Sequence, residues 1–327
     1  MRAIVVREIG RFEYTRVPDP RPGPGEALVR VALAGLCRTD LKLIEVGHRD
    51  LVPPRIPGEE VVGAVIGVGA GVPPSWLGKR VYLYPGAWCS QCPPCRAGAE
   101  NLCHAMRIMG FHRDGGFAGL VAAPEKSLIE LPDPLPFEHA VFAEPLSCCL
   151  NALELAHLAP GEAIGIWGAG PAGTLLERAA RTLGATPVVV EPDPARRRHA
   201  GAVAALPPET LLDVAVVAVG QAEAYCQALD ALRPRGRLVV FSGLSRATAI
   251  QPVDLNRLHY LEQTIVGAYG CSRRHGVQAL DWLAAGRIAV ADLITHRFPL
   301  PNLGPALDLV RRRQAMKILL YPEHDHE

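Results

Sequence analysis

Four cysteines, Cys89, Cys92, Cys95 and Cys103, follow the pattern C-x-x-C-x-x-C-x7-C. Four thiolates this close along a chain can surround one zinc ion tetrahedrally within a single small lobe. Such a shell has no vacant position, so it holds a loop and does not catalyse. Pro93, Pro94 and Gly98 supply the turns that such a knot needs. Crowding of this kind in a chain with no secretory signature points to metal before disulfides.

A second pattern is Gly168-Ala169-Gly170-Pro171-Ala172-Gly173. It follows a strand predicted over 163–167 and opens a helix predicted over 173–183. It leads to Glu191 at the end of a strand predicted over 187–191. In that setting Gly168 permits a tight turn and Gly170 lets backbone approach a pyrophosphate. Gly173 lets the helix pack close to the sheet, and the helix N-terminus faces the phosphates. Glu191 is placed to accept hydrogen bonds from an adenosine ribose. Its carboxylate repels a 2′-phosphate, which favours NAD over NADP. Pro171, Ala172 and Val219, the last at the end of a strand predicted over 214–219, belong to the same cofactor-binding set. The run Arg196-Arg197-Arg198 has two readings, a phosphate contact or a solvated helix face.

The elements around these motifs divide the chain in two. Residues 1–150 are β-rich, with apolar runs at 3–6, 27–32, 61–68, 80–83 and 117–122 between Gly and Pro clusters. From about 151 the texture becomes βαβ. After a helix predicted over 148–158 come the strand, turn, helix and strand just described. Further strands are predicted at 214–219, 237–241 and 264–268, then a helix at 271–285 and a last strand at 317–321. The expected fold class is α/β, a β-rich domain plus a doubly wound parallel-sheet domain.

The chain has 327 residues, with 34 Lys and Arg against 33 Asp and Glu. A net charge of +1 gives no reason to expect a nucleic acid or an acidic membrane as partner. Apolar runs end within about ten residues, well short of the ~20 needed to span a membrane. The expected compartment is the reducing cytoplasm. Cys148, Cys149, Cys226 and Cys271 read as buried apolar residues. His104, His112, His139, His157, His199, His259 and His275 show no metal spacing, and His324 and His326 sit in a polar tail. Arg273 and Arg274 have two readings, a contact to an anion or exposure at a helix start.

Taken together and in this order, the cysteine lobe and the nucleotide turn resemble the zinc-containing medium-chain dehydrogenase/reductase family. The resemblance covers nearly the whole chain. Gly35-Leu36-Cys37-Arg38-Thr39-Asp40 resembles the family's catalytic-zinc cysteine motif. Pro57-Gly58-Glu59-Glu60, before Val62-Gly63, stands where the family has Gly-His-Glu. Asp114-Gly115-Gly116-Phe117-Ala118, Leu131-Pro132-Asp133, Leu293-Ile294-Thr295-His296 and Met316-Lys317-Ile318-Leu319 also fit. Ala143-Glu144-Pro145-Leu146-Ser147 is similar to the third-ligand segment of the polyol and threonine dehydrogenase branch.

The resemblance implies a GroES-like catalytic domain at 1–150 and 271–327, with the structural zinc lobe at about 86–104. It implies a Rossmann domain at 151–270 and an active site in the cleft between the two. The implied activity is hydride transfer between a secondary alcohol (a polyol, sugar alcohol or amino alcohol) and NAD, with zinc polarising the alcohol oxygen. Cys37 and Glu144 would ligate that zinc. Thr39 would relay the substrate proton, Asp40 would support the site, and Glu60 would support it and be able to move onto the metal. The partner is a small alcohol or ketone, and the assembly a homodimer or homotetramer. A threonine 3-dehydrogenase activity shares this logic. A reading of another class, a nucleotide-binding protein retaining only the structural zinc, also stands.

Two departures from the family pattern matter. Glu59 replaces the histidine ligand, so Cys37, Glu59 and Glu144 would bring three negative charges to one dication and weaken it as a Lewis acid. Lys42 either supplies a balancing positive charge or is a surface lysine. The stretch between Glu191 and the strand at 214 is also short, which trims the adenine side of the Rossmann half.

Overall fold

A computed structural model of the chain describes residues 1–197 and 201–323; Arg198, His199, His324 and His326 lie outside the described residues. The chain forms two compact units, Met1–Glu144 with Ser272–Glu327, and Pro145–Cys271. Among the described residues no helix is long and apolar enough to cross a membrane.

The first unit is built on a seven-stranded mixed sheet. Its order is Ile294–Pro299, Lys317–Tyr321, Glu26–Leu36, Glu60–Val68, Arg80–Leu83 and Leu128–Glu130, with Leu120–Pro124 also paired to Glu26–Leu36. Glu26–Leu36 is the organising strand. Its early residues alternate between buried and more exposed positions, as a sheet with one covered face requires. Its last four residues are all buried. Val29, Val31, Val61, Val65, Val81, Phe117, Leu128 and Ile318 join one apolar core with the hairpin residues Ile4 and Val6.

A helix not anticipated from the sequence, Arg38–Glu45, leaves directly from the end of that strand. Leu41, Leu43 and Ile44 bury one side of it. Asp40 fixes its start by accepting a hydrogen bond from the Cys37 backbone N–H at 2.9 Å. The strand expected over 117–122 forms at Leu120–Pro124, because Phe117 and Ala118 pair only locally, through the bridge Ala3↔Ala118. The helix expected from 148 starts earlier, at Ala143, which puts Glu144 in its first turn.

The second unit holds a five-stranded parallel sheet ordered Thr186–Val190, Ala163–Trp167, Leu212–Val217, Leu232–Val240 and Thr264–Gly267. Leu212–Val217 is buried at every position, as a central parallel strand covered on both faces must be. The helix Ala222–Asp230, also not anticipated, buries Ala224, Tyr225 and Ala228. The order is that of a Rossmann sheet whose third strand has shrunk. Among the described residues its place is marked by the parallel bridge Val190↔Val203. The short stretch after Glu191 takes this form.

Candidate active site and metal lobe

The lobe is the most regular feature. The helix Pro93–Arg96 starts with proline at its first positions, and Gly98 turns the chain at φ +73. This brings the four sulfurs together. Separations are 3.4 Å for Cys92–Cys95, 3.6 Å for Cys89–Cys103, 3.9 Å for Cys92–Cys103 and 4.0 Å for Cys89–Cys95. Zinc–sulfur bonds of about 2.3 Å in a tetrahedron require sulfurs about 3.8 Å apart, so the quartet fits the ion. Backbone N–H groups reinforce it: Cys92 donates to Cys89 Sγ, and Cys89 and Ala105 donate to Cys103 Sγ. The backbone donors of Gln91 and Cys92 pull the Cys89 thiol down to about 6, which favours the thiolate that zinc binds. Among the described residues this is the one group of three or more Cys, His, Asp or Glu whose ligand atoms all lie within 4.8 Å of one another.

A second cluster forms where three strands of the first unit meet. Pairing places Gly35 opposite Glu60 and Leu36 opposite Ile318. Cys37, Glu59 and Lys317 each stand one residue beyond these pairs and so converge on Glu60. The Cys37 sulfur lies 3.1 Å from Asp40 Oδ2 and 3.8 Å from Glu59 Oε1. Asp40 and Glu60 are buried, and Cys37 and Glu59 partly so. Lys317 is also buried, and its Nζ donates to both carboxylate oxygens of Glu60, at 2.7 and 2.5 Å. It lies 5.6 Å from the centre of the Phe142 ring, and Glu144 is within its electrostatic reach.

The charges are unbalanced. Burial, then Asp40, Glu59 and Glu60, push the Cys37 thiol well up. Burial is the first cause that lifts the Asp40 carboxyl to about 7. A buried group of one thiol and several carboxylates with one ammonium is short of positive charge.

Thr39 and Lys42 lie on the exposed side of the helix Arg38–Glu45. Burial of its stem and the neighbouring Arg38 lower Lys42, while Cys37 raises it. The cation inside the cluster is thus Lys317, which spacing along the chain did not single out, while Lys42 is solvent-facing. Cys226 is exposed and Cys148 half-buried, against the expectation of burial; Cys149 and Cys271 are buried. Arg273 ties the first unit together, its guanidinium donating to the carbonyls of Lys126 and Leu128.

The Gly-rich turn has the expected geometry. Gly168 adopts φ +108, and its N–H donates to the Val190 carbonyl at 2.8 Å. Gly170 caps the helix Pro171–Thr182, with Pro171 in its first turn and Ala172 following. A Cβ on Gly173 would stand 1.7 Å from the Gly168 carbonyl oxygen, so only glycine fits. Val219 flanks Gly168, 3.5 Å from where a Cβ there would be. Glu191 accepts from the N–H of Ala169 at 2.9 Å and of Asp193 at 3.1 Å, which fixes its carboxylate at the turn. Arg196 Nη1 comes within 3.2 Å of where a Gly170 Cβ would be. Arg196 therefore lies beside the turn.

The profile of the alcohol dehydrogenase GroES-like domain matches residues 23–133, and that of the zinc-binding dehydrogenase matches 171–285. L-threonine 3-dehydrogenase of Pyrococcus abyssi (strain GE5 / Orsay) is 31% identical over 94% of this chain and 94% of its own. The chain belongs to the zinc-type medium-chain alcohol dehydrogenases. L-galactonate-5-dehydrogenase of Escherichia coli (strain K12) is 29% identical over 97% of this chain and 98% of its own. A zinc-binding dehydrogenase from Sinorhizobium meliloti 1021, solved bound to NADP, superposes with a TM-score of 0.91 at 28% identity, covering 98% of this chain and 99% of that one. As a zinc-type medium-chain dehydrogenase, the chain is an enzyme with a GroES-like domain and a Rossmann domain. It uses zinc and a nicotinamide dinucleotide to oxidise an alcohol or reduce its ketone. That removes the reading of a nucleotide-binding protein without chemistry.

Proposed function

We propose that this enzyme oxidises a secondary alcohol of a polyol, a sugar alcohol or a related polyhydroxy acid, with NAD as acceptor. The observation that carries the reading is the Cys37–Glu59 pair, 3.8 Å apart in a buried cluster short of positive charge. Cys37, Glu59 and Glu144 are the residues that would hold the catalytic zinc, whose chemistry when bound is to polarise the alcohol oxygen. Asp40 orients Cys37 by accepting from both its backbone N–H and its thiol. The Thr39 hydroxyl carries the substrate proton toward solvent from the exposed side of its helix.

Glu191, held by two backbone N–H groups, offers its remaining lone pairs to the ribose hydroxyls. Its charge opposes a 2′-phosphate, and this supports NAD; Arg196 is in reach of the phosphates. Galactonate and 2-dehydro-3-deoxy-L-galactonate 5-dehydrogenases among the relatives support a polyhydroxylated substrate. The threonine 3-dehydrogenases, at 30–31% identity, favour L-threonine as a second reading. The enzyme acts as a cytoplasmic homodimer or homotetramer in this reading.

The test is a panel of polyols, aldonates and L-threonine with NAD and with NADP at alkaline pH, alongside zinc per chain. Two zinc ions and turnover of a polyol or aldonate with NAD are expected. Turnover of L-threonine alone would move the substrate to the second reading.

A further inference from the structure

The helix Arg273–Ala284 begins where the chain re-enters the first unit, since Ser272 is the first residue of the returning segment. Its start is held from several sides. The Ser272 N–H donates to His275 Nδ1 at 3.1 Å, and the Arg273 guanidinium holds the carbonyls of Lys126 and Leu128. A Cβ on Gly276 would stand 3.0 Å from Tyr82 Cε1 and 3.1 Å from Ile129 Cδ1, so the first turn lies close on the sheet.

One further contact comes from the cysteine lobe. The Arg273 backbone N–H donates to Glu100 Oε1 at 2.6 Å, across 173 positions. This N–H belongs to the first helical residue and has no acceptor within the helix. A carboxylate there satisfies it and meets the positive end of the helix dipole. Glu100 is in turn fixed by the lobe. It opens the single turn Glu100–Leu102, and its carbonyl accepts from the Cys103 N–H at 2.9 Å. Cys103 is one of the four sulfur donors, 3.6 Å from Cys89. The path from the lobe to the helix start is therefore one turn and one side chain. An ion that draws four thiolates together sets the turn, and the turn sets the carboxylate.

We propose that the zinc of the lobe is coupled through Glu100 to the first turn of the helix Arg273–Ala284, so that filling the lobe fixes the residues on which the chain re-enters the first unit. Glu100 is a positioning residue; it binds neither the ion nor a substrate. The proposal rests on the lobe holding zinc and is independent of the Cys37 cluster and of the substrate. Such a coupling is reciprocal: what loosens the helix start loosens the lobe, and the reverse.

Hydrogen exchange followed by mass spectrometry tests both directions, on wild type, Arg273→Ala, Arg273→Pro and Cys92→Ser, with zinc per chain measured for each. Arg273→Ala removes the guanidinium and keeps the N–H. Arg273→Pro removes both, at the first position of a helix, where proline is tolerated. The extended Ser272 before it, at φ -89 and ψ 161, suits a following proline. Residues 89–103 should exchange roughly tenfold faster in Arg273→Pro than in Arg273→Ala. In Cys92→Ser, which loses one zinc, residues 272–276 should exchange roughly tenfold faster than in wild type, with the strand 163–167 unchanged.

Equal exchange of the lobe in the two Arg273 variants overturns the proposal, because the contact to Glu100 would then carry nothing. So does a Cys92→Ser protein that loses its zinc and keeps wild-type exchange at 272–276, or one in which 163–167 speeds up as much, since that loosening is global. A Cys92→Ser protein that keeps all its zinc removes the reading of the lobe and the proposal with it. Should Cys92→Ser or Arg273→Pro not fold, the remaining comparison decides.

Discussion

The Cys37 sulfur lies 3.8 Å from Glu59 Oε1, in the segment where the family resemblance implies a histidine. A carboxylate there adds a negative charge to a pocket that already holds Asp40 and Glu60 buried. Any group that must lose a proton in that pocket does so against more negative charge, and hence at higher pH. Activity should therefore rise toward alkaline pH. Glu59→His removes the charge and keeps a donor. Its pH–rate profile should move down by about one unit with the zinc content unchanged. Profiles of both enzymes, with metal analysis, check this, and an unshifted profile would mean that Glu59 is not a donor.

The cysteine lobe should behave as a unit of stability. Cys92→Ser or Cys95→Ser opens a shell whose sulfurs are 3.4–4.0 Å apart. Each variant should lose one zinc per chain and melt roughly 5 °C lower or more. Calorimetry with zinc analysis reads both quantities. A variant that kept its zinc and melting temperature would rule out a structural site.

Cofactor choice turns on Glu191. Glu191→Ala removes the charge that opposes a 2′-phosphate and also frees the N–H groups of Ala169 and Asp193. The preference for NAD over NADP should narrow by about tenfold. Gly173→Ala should weaken both cofactors at least tenfold, since its Cβ would stand 1.7 Å from the Gly168 carbonyl and the helix would have to move. Fluorescence titration with each cofactor measures these effects. A wild type that bound NADP more tightly would show Arg196 outweighing Glu191.

The acid side of the stability curve should depend on Glu138. Arg297 and Tyr321 donate to its carboxylate and hold it down at about 2, from an ordinary 4.5. Its folded value is depressed, so its contribution is present above about pH 4.5 and is lost as pH falls through about 2. Glu138→Gln should lower the melting temperature above about pH 4.5, flatten its loss across that window and converge with wild type near pH 2. Melting curves from pH 2 to 7 on both proteins give the comparison.

What could be read from the chain alone was whatever is local in it. The cysteine quartet lies within fifteen residues, and the turn from Gly168 to Gly173 sits between two strands whose apolar runs are plain. Lys317 was a different matter. It is separated from Glu60 by 257 positions, and only strand pairing on both sides of Glu26–Leu36 brings them together. A lysine opening the otherwise apolar strand Lys317–Tyr321 was the one available sign. The helix Arg38–Glu45 was missed because its start depends on the Asp40 cap, which is a geometry and not a periodicity. Lys42 drew attention through its closeness in sequence to Cys37, and closeness in sequence did not make it the buried cation.

The division of the chain has a consequence for the order in which the protein is made. Residues 145–271 form a contiguous unit, while the first unit takes residues from both sides of it. The ribosome therefore delivers Cys37, Glu59 and Glu60 early and Lys317 only after the entire dinucleotide unit has emerged. Until then Glu60 has no ammonium to sit against, and the sheet lacks the strand that pairs with Leu36. The Glu60–Lys317 pair and the strand beside Leu36 are thus the last part of the first unit that the chain can complete.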